Sequence, residues 1–249
     1  MAIRKLVLAV LLAAGGAAAV SAPARPWAED SHEKGRAIVV GAYELGPDGA
    51  CFHCHGVDGA GIAEAGFPRL SAQFHDVLLK ALRDYADGRR PNPIMQPIAQ
   101  ALGTEEMRQV SAYYAAQKGI PHETVPEADR ELLQLGERLS AEGDPDQGIS
   151  ACSNCHGPAG AGTPPIFPYL AGQHAIYVEE QLLLWKRGLR DGDPGGIMEH
   201  IASRMSYRQI RAAAVYFASL QPPGSAPADA PATSLSDITA GQSDARPAE

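Results

Sequence analysis

Cys51 to Gly61 reads CFHCHGVDGAG, and Cys152 to Gly162 reads CSNCHGPAGAG. All four cysteines of the chain fall in these two stretches, and each pair is followed at once by a histidine, His55 or His156. Sliding the sequence against itself by 101 residues aligns far more than the cysteines. Gly35 meets Gly136, and Gly56, Gly59 and Gly61 meet Gly157, Gly160 and Gly162. Allowing for a deletion and a short expansion, FPRLSAQ (Phe67 to Gln73) meets FPYLAGQ (Phe167 to Gln173), and IMQPIAQAL (Ile94 to Leu102) meets IMEHIASRM (Ile197 to Met205). Tyr113 meets Tyr216. Two copies of roughly 90 residues are too long for solenoid units and about the size of small domains.

The pattern predicts an all-α fold of two tandem domains, residues 29–120 and 129–221. Apolar residues at helical spacing predict helices over 32–45 and 129–142 before the cysteine pairs, and over 74–87 and 174–187 after the FPxLxxQ stretches. Each copy closes with a marked helix. TEEMRQVSAYYAAQK is expected to start at a Thr104 cap, with Glu105 and Glu106 in the first turn. SYRQIRAAAVYFASL starts at Ser206 with Gln209 three residues on, the pattern of a capping box. GIPHETVPEAD (Gly119 to Asp129) reads as the link. From 222 to 249 the chain is Pro, Ala, Ser and Asp with almost no large apolar residue, which predicts a disordered tail.

Two thiols three residues apart with an imidazole directly after them meet the demands of c-type haem attachment. On a helical turn the cysteines reach one edge of a porphyrin and the next His points at its iron. Covalent haem also answers a shortage, because a copy of this size with aromatics at 6% has little to build a core from. Three rivals use the same residues. A disulfide inside CxxC closes a tiny loop and leaves the His without a purpose. A thioredoxin-like pair needs a βαβ context that is missing. Zinc thiolate sites need no duplicated domain.

A haem iron takes a sixth ligand or keeps an open position. Met95 and Met198 align with each other in Pro- and Gly-flanked loops past their motifs, and a thioether there would raise the potential. Met107 and Met205 read as core. His200 is the one alternative ligand, and its counterpart is Pro97. His53, at an x position of the first motif, is expected to face solvent. His32, His75, His122 and His174 read as surface or loop residues, and WKRGLR (Trp185 to Arg190) as a solvated helix end.

The N-terminus reads as an export signal over residues 1–22. Arg4 and Lys5 precede roughly 15 apolar residues, fewer than the about 20 that span a bilayer, and Val20 to Ala22 offers a small-residue cleavage site. This predicts a periplasmic protein and leaves room for peripheral association with the membrane. The formal charge is −8, and loss of residues 1–22 would take it to −10. No extended basic face is available for phosphate, so nucleic acid is excluded as a partner. The sequence does not speak to oligomeric state.

The doubled CxxCHG, the GxG after each, FPxLxxQ, IMxxIA and the aromatic closing helix resemble the dihaem cytochrome c4 family, built from two class I cytochrome c domains. The resemblance spans about 35–220. It implies thioethers at Cys51, Cys54, Cys152 and Cys155, and axial pairs His55/Met95 and His156/Met198. It further implies that the carbonyls of Pro68 and Pro168 receive the His rings, that Leu70 and Leu170 pack on haem, and that Gly35 and Gly136 let the first helix cross the last near Tyr113 and Tyr216. The domains are expected to pack about a pseudo-twofold with both haems near their interface. Ser71-Ala72 replaces the more typical Ala171-Gly172, so haem-edge hydrogen bonds are expected to differ. RRPNPIMQP (Arg89 to Pro97) is shorter than RDGDPGGIMEH (Arg190 to His200), so unequal potentials are expected.

The expected function is single-electron transfer between a respiratory or substrate-oxidising donor and a terminal oxidase or reductase, through redox protein partners. The acidic surface suits weak, salt-sensitive docking on a basic patch. The alternatives are a dihaem enzyme of peroxidase or thiosulfate-oxidising type, the cytochrome subunit of a dehydrogenase, and a redox module tethered by an uncleaved signal. An enzyme should lack one of the two methionines, and no other catalytic constellation stands out.

Overall fold

The structure, a computed structural model, describes residues 26–42, 46–122 and 129–225, with the side chains of 26–30 and 47 left aside. The expected signal at 1–22 and the tail from 226 onward lie outside the described residues. Residues 222–225, which the sequence assigns to that tail, are packed: Pro222 lies on Gly172, and the Gly224 carbonyl accepts from Gly119 N–H.

Two helical bundles repeat one order of elements. The first has α1 (Pro26–Val39), α2 (Phe52–His55), α3 (His75–Ala86), α4 (Met95–Gln100) and α5 (Thr104–Ala116). The second has α6 (Arg130–Ala141), α7 (Ser153–His156), α8 (Ala175–Lys186), α9 (Ile197–Arg204) and α10 (Tyr207–Ser219). In each, the first helix crosses the last, and the third packs on both the fourth and the last. Among the described residues the only sheet-like pairings are three isolated bridges, such as Ile62 with Phe67. No helix among them is long and apolar enough to cross a membrane.

Each bundle owns a small core. Ile38, Val39, Leu79, Met107, Val110 and Tyr113 cluster in the first, and Leu139, Ile149, Leu182, Met205, Ile210 and Ala213 in the second. Met107 and Met205 are therefore core residues, as the repeat suggests.

The helix crossings rest on two glycines. A Cβ at Gly35 would lie 2.3 Å from the Gln109 carbonyl oxygen and 2.8 Å from Tyr113 Cβ, and one at Gly136 would lie 2.3 Å from the Ala212 oxygen and 2.4 Å from Tyr216 Cβ. Only a bare Cα allows α1 to reach α5, and α6 to reach α10, at this distance. Gly136→Ala is expected to cost ~1–3 kcal/mol by overpacking. Thermal unfolding of the haem-loaded protein should then show an earlier transition for the second bundle alone.

Helix ends follow local chemistry, with two differences from expectation. Ser206 Oγ accepts from Gln209 N–H while the Gln209 side chain accepts from Ser206 N–H, so the capping box is present. Asp129 caps α6 through Glu131 N–H. At α5, however, Gly103 takes the extended cap position and Thr104 is already the first helical residue, with no side-chain cap. The first helix lies earlier than 32–45, because Pro26 suits the start of a helix and Gly41, at φ +81°, turns the chain after Val39.

Candidate functional site

The cysteine pairs sit where a single helical turn fixes their geometry. Cys51 and Cys152 stand at the N-caps of α2 and α7, and their carbonyls accept from His55 and His156 N–H at 2.9 Å each. Spacings of three and four residues place both thiols and the imidazole on one side of that turn. His53 points outward and is exposed, as expected for an x position.

Both histidines are buried, at 6% and 7% exposure. His55 Nδ1 lies 3.1 Å from the Pro68 carbonyl and His156 Nδ1 lies 2.9 Å from the Pro168 carbonyl. A carbonyl only accepts, so Nδ1 carries the proton and Nε2 keeps its lone pair. Burial pulls both imidazole pKa values below their ordinary value, against the smaller opposing effect of the proline carbonyls. The rings are thus held neutral, in the tautomer that binds a metal through Nε2. Gly61 guards this arrangement: at φ +76°, a Cβ there would lie 2.6 Å from the Pro68 carbonyl oxygen.

The four thiols are free. Burial pushes Cys51 and Cys152 up to about 11, chiefly by desolvation. Reactive redox cysteines need the reverse, a lowered pKa beside positive charge, so the thioredoxin-like reading finds no support. Among the described residues no group of three or more His, Cys, Asp or Glu is placed to hold a metal ion.

One cavity of about 540 Å³ joins the two bundles, and both cysteine pairs, both histidines, Met95 and Met198 line it. The methionines occupy the first turns of α4 and α9 rather than loops. Asn92 Oδ1 accepts from Met95 N–H at 2.8 Å, and Asp193 Oδ2 accepts from Met198 N–H at 2.6 Å. These two bonds tie the first turns of α4 and α9 to the Pro- and Gly-rich loops before them. Leu70 and Leu170 line the same cavity. His200, the alternative ligand, is exposed, is not among the lining residues, and lies 3.0 Å from an Arg204 nitrogen.

Several lining residues were not anticipated. Arg90 is 3% exposed and lies over the Tyr85 and Tyr177 rings, donating to Tyr177 Oη at 2.5 Å and to Gln181 Oε1 at 2.6 Å. Arg190 donates to the same Gln181 oxygen at 2.8 Å and stacks 3.7 Å from the Trp185 ring centre. Burial, and then Arg90, push Arg190 down to about 9. WKRGLR is therefore only in part a solvated helix end: Trp185 and Arg190 turn to the cavity because the aromatic ring and the amide oxygen offer the guanidinium partners there. His122 is buried, with Nε2 2.9 Å from the Ala218 carbonyl, and His174 Nε2 is half-buried 2.9 Å from the Ala60 carbonyl. Both lie in loops, one of the two placements expected, but neither is a surface residue, because each side chain meets a backbone carbonyl of an element distant in sequence.

The Cytochrome c family model matches residues 33–117. The chain is 43% identical over 171 residues to the thiosulfate dehydrogenase electron acceptor of Stutzerimonas stutzeri (strain A1501), covering 69% of this chain and 79% of that protein. It is 38% identical over 181 residues to cytochrome c4 of Thiocapsa roseopersicina, covering 72% and 91%. The crystal structure of reduced recombinant cytochrome c4 from Pseudomonas stutzeri superposes with a TM-score of 0.66 at 33% identity, over 76% of this chain and 98% of that one. The chain belongs to the dihaem cytochrome c4 family. It is an all-α electron-transfer protein with the paired bundles of that family, and membership implies covalently bound c-type haem.

The residues present suit such a group in a cytochrome c4 fold. The cavity offers four thiols, two neutral imidazoles whose Nδ1 atoms are held by carbonyls, and two thioethers. Arg90 and Arg190 make no ion pair among the described residues, while Asp84 nearby is engaged by Lys80 and Arg89. Trp185 Nε1 is buried without a hydrogen-bond partner. Two cations and an orphaned donor in one apolar cavity call for an anionic acceptor, which the carboxylates of a haem would provide.

Proposed function

We propose that the chain is a periplasmic single-electron carrier of two domains, 29–120 and 129–221, each holding one haem c. Cys51 and Cys54 attach the first, with His55 and Met95 as axial ligands. Cys152 and Cys155 attach the second, with His156 and Met198. The observation that carries this reading is the duplicated set of thiols, carbonyl-held imidazole and thioether around one cavity. Haem supplies the one-electron iron couple. The chain orients each ring through Pro68 or Pro168, which strengthens the ligand, and the apolar lining and thioethers hold the potential high. Arg90, Arg190 and Trp185 receive the propionates.

A carrier needs no open coordination position, and an enzyme would. Two methionines lining the cavity support the carrier. The donor we propose is a substrate-oxidising dehydrogenase, supported by the relative named as an electron acceptor of thiosulfate dehydrogenase; the acceptor is a terminal oxidase or reductase. Docking through an acidic surface should weaken with salt.

The deciding experiment measures haem per chain, the near-infrared His/Met band and the response of the reduced form to carbon monoxide. Two haems, two bands' worth of intensity and indifference to carbon monoxide are expected. An iron that binds carbon monoxide readily would overturn the carrier in favour of an enzyme.

A further inference from the structure

The two FPxLxxQ stretches end in glutamines that are each 5% exposed and reach across the boundary between the bundles. Gln173 Oε1 accepts from Arg69 N–H at 2.9 Å, and its Nε2 donates to the Arg69 carbonyl at 2.9 Å. Gln73 grips Tyr169 in the same way, accepting from its N–H at 3.2 Å and donating to its carbonyl at 3.1 Å. Each side-chain amide thus pairs with both backbone groups of one residue in the opposite bundle.

A plain interface lock explains the pairing but not which peptide is gripped. Arg69 N–H and the Pro68 carbonyl are two ends of one peptide group, and that carbonyl accepts from His55 Nδ1. Tyr169 N–H and the Pro168 carbonyl are likewise one group, accepting from His156 Nδ1. Amide resonance links the ends of such a group. Accepting a bond from its N–H moves electron density to its oxygen, and chained hydrogen bonds strengthen one another by roughly 10–30%. A better acceptor at Nδ1 makes the ring a more basic ligand and favours oxidised iron.

We propose that Gln73 and Gln173 are crossed positioning residues: each sets the orientation and basicity of the axial histidine, and so the reduction potential, in the other bundle. The proposal rests on the reading of His55 and His156 as iron ligands. It makes both irons sensitive to the one interface.

The test uses the haem-loaded full chain, with the two potentials resolved by spectroelectrochemistry and assigned by the loss of one axial-methionine methyl NMR signal in Met95→Leu or Met198→Leu. Gln173→Met keeps the length and removes the acceptor oxygen. It should raise the potential at the Cys51/Cys54 haem by about threefold to tenfold in the Fe(III)/Fe(II) equilibrium, below the about 10–100-fold that loss of a direct partner of a metal-bound His brings. The other haem should stay put, and Gln73→Met should give the mirror result. Where Gln173→Met fails to hold haem, Gln173→Glu keeps the volume and accepts more strongly, so the same haem should shift downward more than the other. His174→Leu is the control, because it removes an interface bond to Ala60 without touching either peptide; it should lower the melting temperature and leave both potentials alone. Equal shifts at both haems, a shift in the glutamine's own bundle, or no shift would overturn the crossed assignment. Absence of the His/Met band in the unsubstituted protein would instead overturn the ligand assignment beneath it.

Discussion

Replacing Cys152 and Cys155 together by alanine should halve the haem content, from two groups per chain to one, and leave the second bundle unfolded while the first keeps its haem. The size of the effect follows from the cavity. An apolar space of about 540 Å³ is shared by the two bundles, and under the proposed function haem fills it. At ~24 cal/mol per Å³, leaving it empty costs on the order of 10 kcal/mol in all. That is comparable with the whole stability of a small domain, about 5–15 kcal/mol. The second core is little more than a ring of aliphatic side chains around that space, with alanines filling much of α10. The first bundle has its own cluster around Ile38, Val110 and Tyr113 and should persist. A pyridine haemochrome assay per chain and limited proteolysis across 129–225 check the two halves of this expectation. Two haems in the variant would mean that the motif is not the attachment site.

The features readable in the sequence are those whose cause is local or duplicated. The cysteine pairs and their histidines announce themselves because one helical turn fixes their geometry, and Met95 and Met198 because a second copy marks the same position. Gly35 and Gly136 are legible for the same reason, and the clashes a Cβ would meet agree with the reading. The short helices α4 and α9 were expected as loops, since six or eight residues carry too little periodicity to register. What ties their first turns to the preceding loops is a side-chain bond from Asn92 or Asp193, hidden among prolines and glycines.

The interface was the larger omission. Gln73 and Gln173 stand in plain view inside the repeat, yet the sequence suggests only haem-edge hydrogen bonds for that stretch. Their partners lie about a hundred residues away and are backbone groups, which carry no sequence signal. His122 and His174 fall to the same cause, each meeting a distant carbonyl. Arg90 and Arg190 look like ordinary surface arginines until Tyr85, Tyr177 and Gln181 are brought around them. A buried cation can be recognised only once its surroundings are known.

Met95→Leu and Met198→Leu should each abolish the near-infrared His/Met band of one haem, lower that haem's potential steeply, and open its iron to carbon monoxide when reduced. Leucine for methionine is close to volume-conserving, so packing should change by less than about 1.5 kcal/mol and the loss traces to the sulfur. Both side chains are half-buried and held by a bond to their own backbone N–H, so neither turn depends on the thioether for its shape. Removing the soft ligand strips stabilisation from the reduced iron, which binds a thioether better than the oxidised iron does. The two variants should differ in one respect. The turn before Met95 is pinned between Pro91 and Pro93 by the neutral Asn92, while Met198 follows Gly195 and Gly196, at φ +70° and +66°, and its N–H donates to Asp193. The glycine-flanked turn has more freedom to move, so His200, four residues before Arg204 within the same helix, is better placed to swing in than Pro97, which cannot bind metal at all. Met198→Leu should therefore recover a share of low-spin iron through His200, and Met95→Leu should stay fully open to carbon monoxide. A low-spin form in both variants would point to a ligand other than His200, and its loss in Met198→Leu/His200→Ala would identify the histidine.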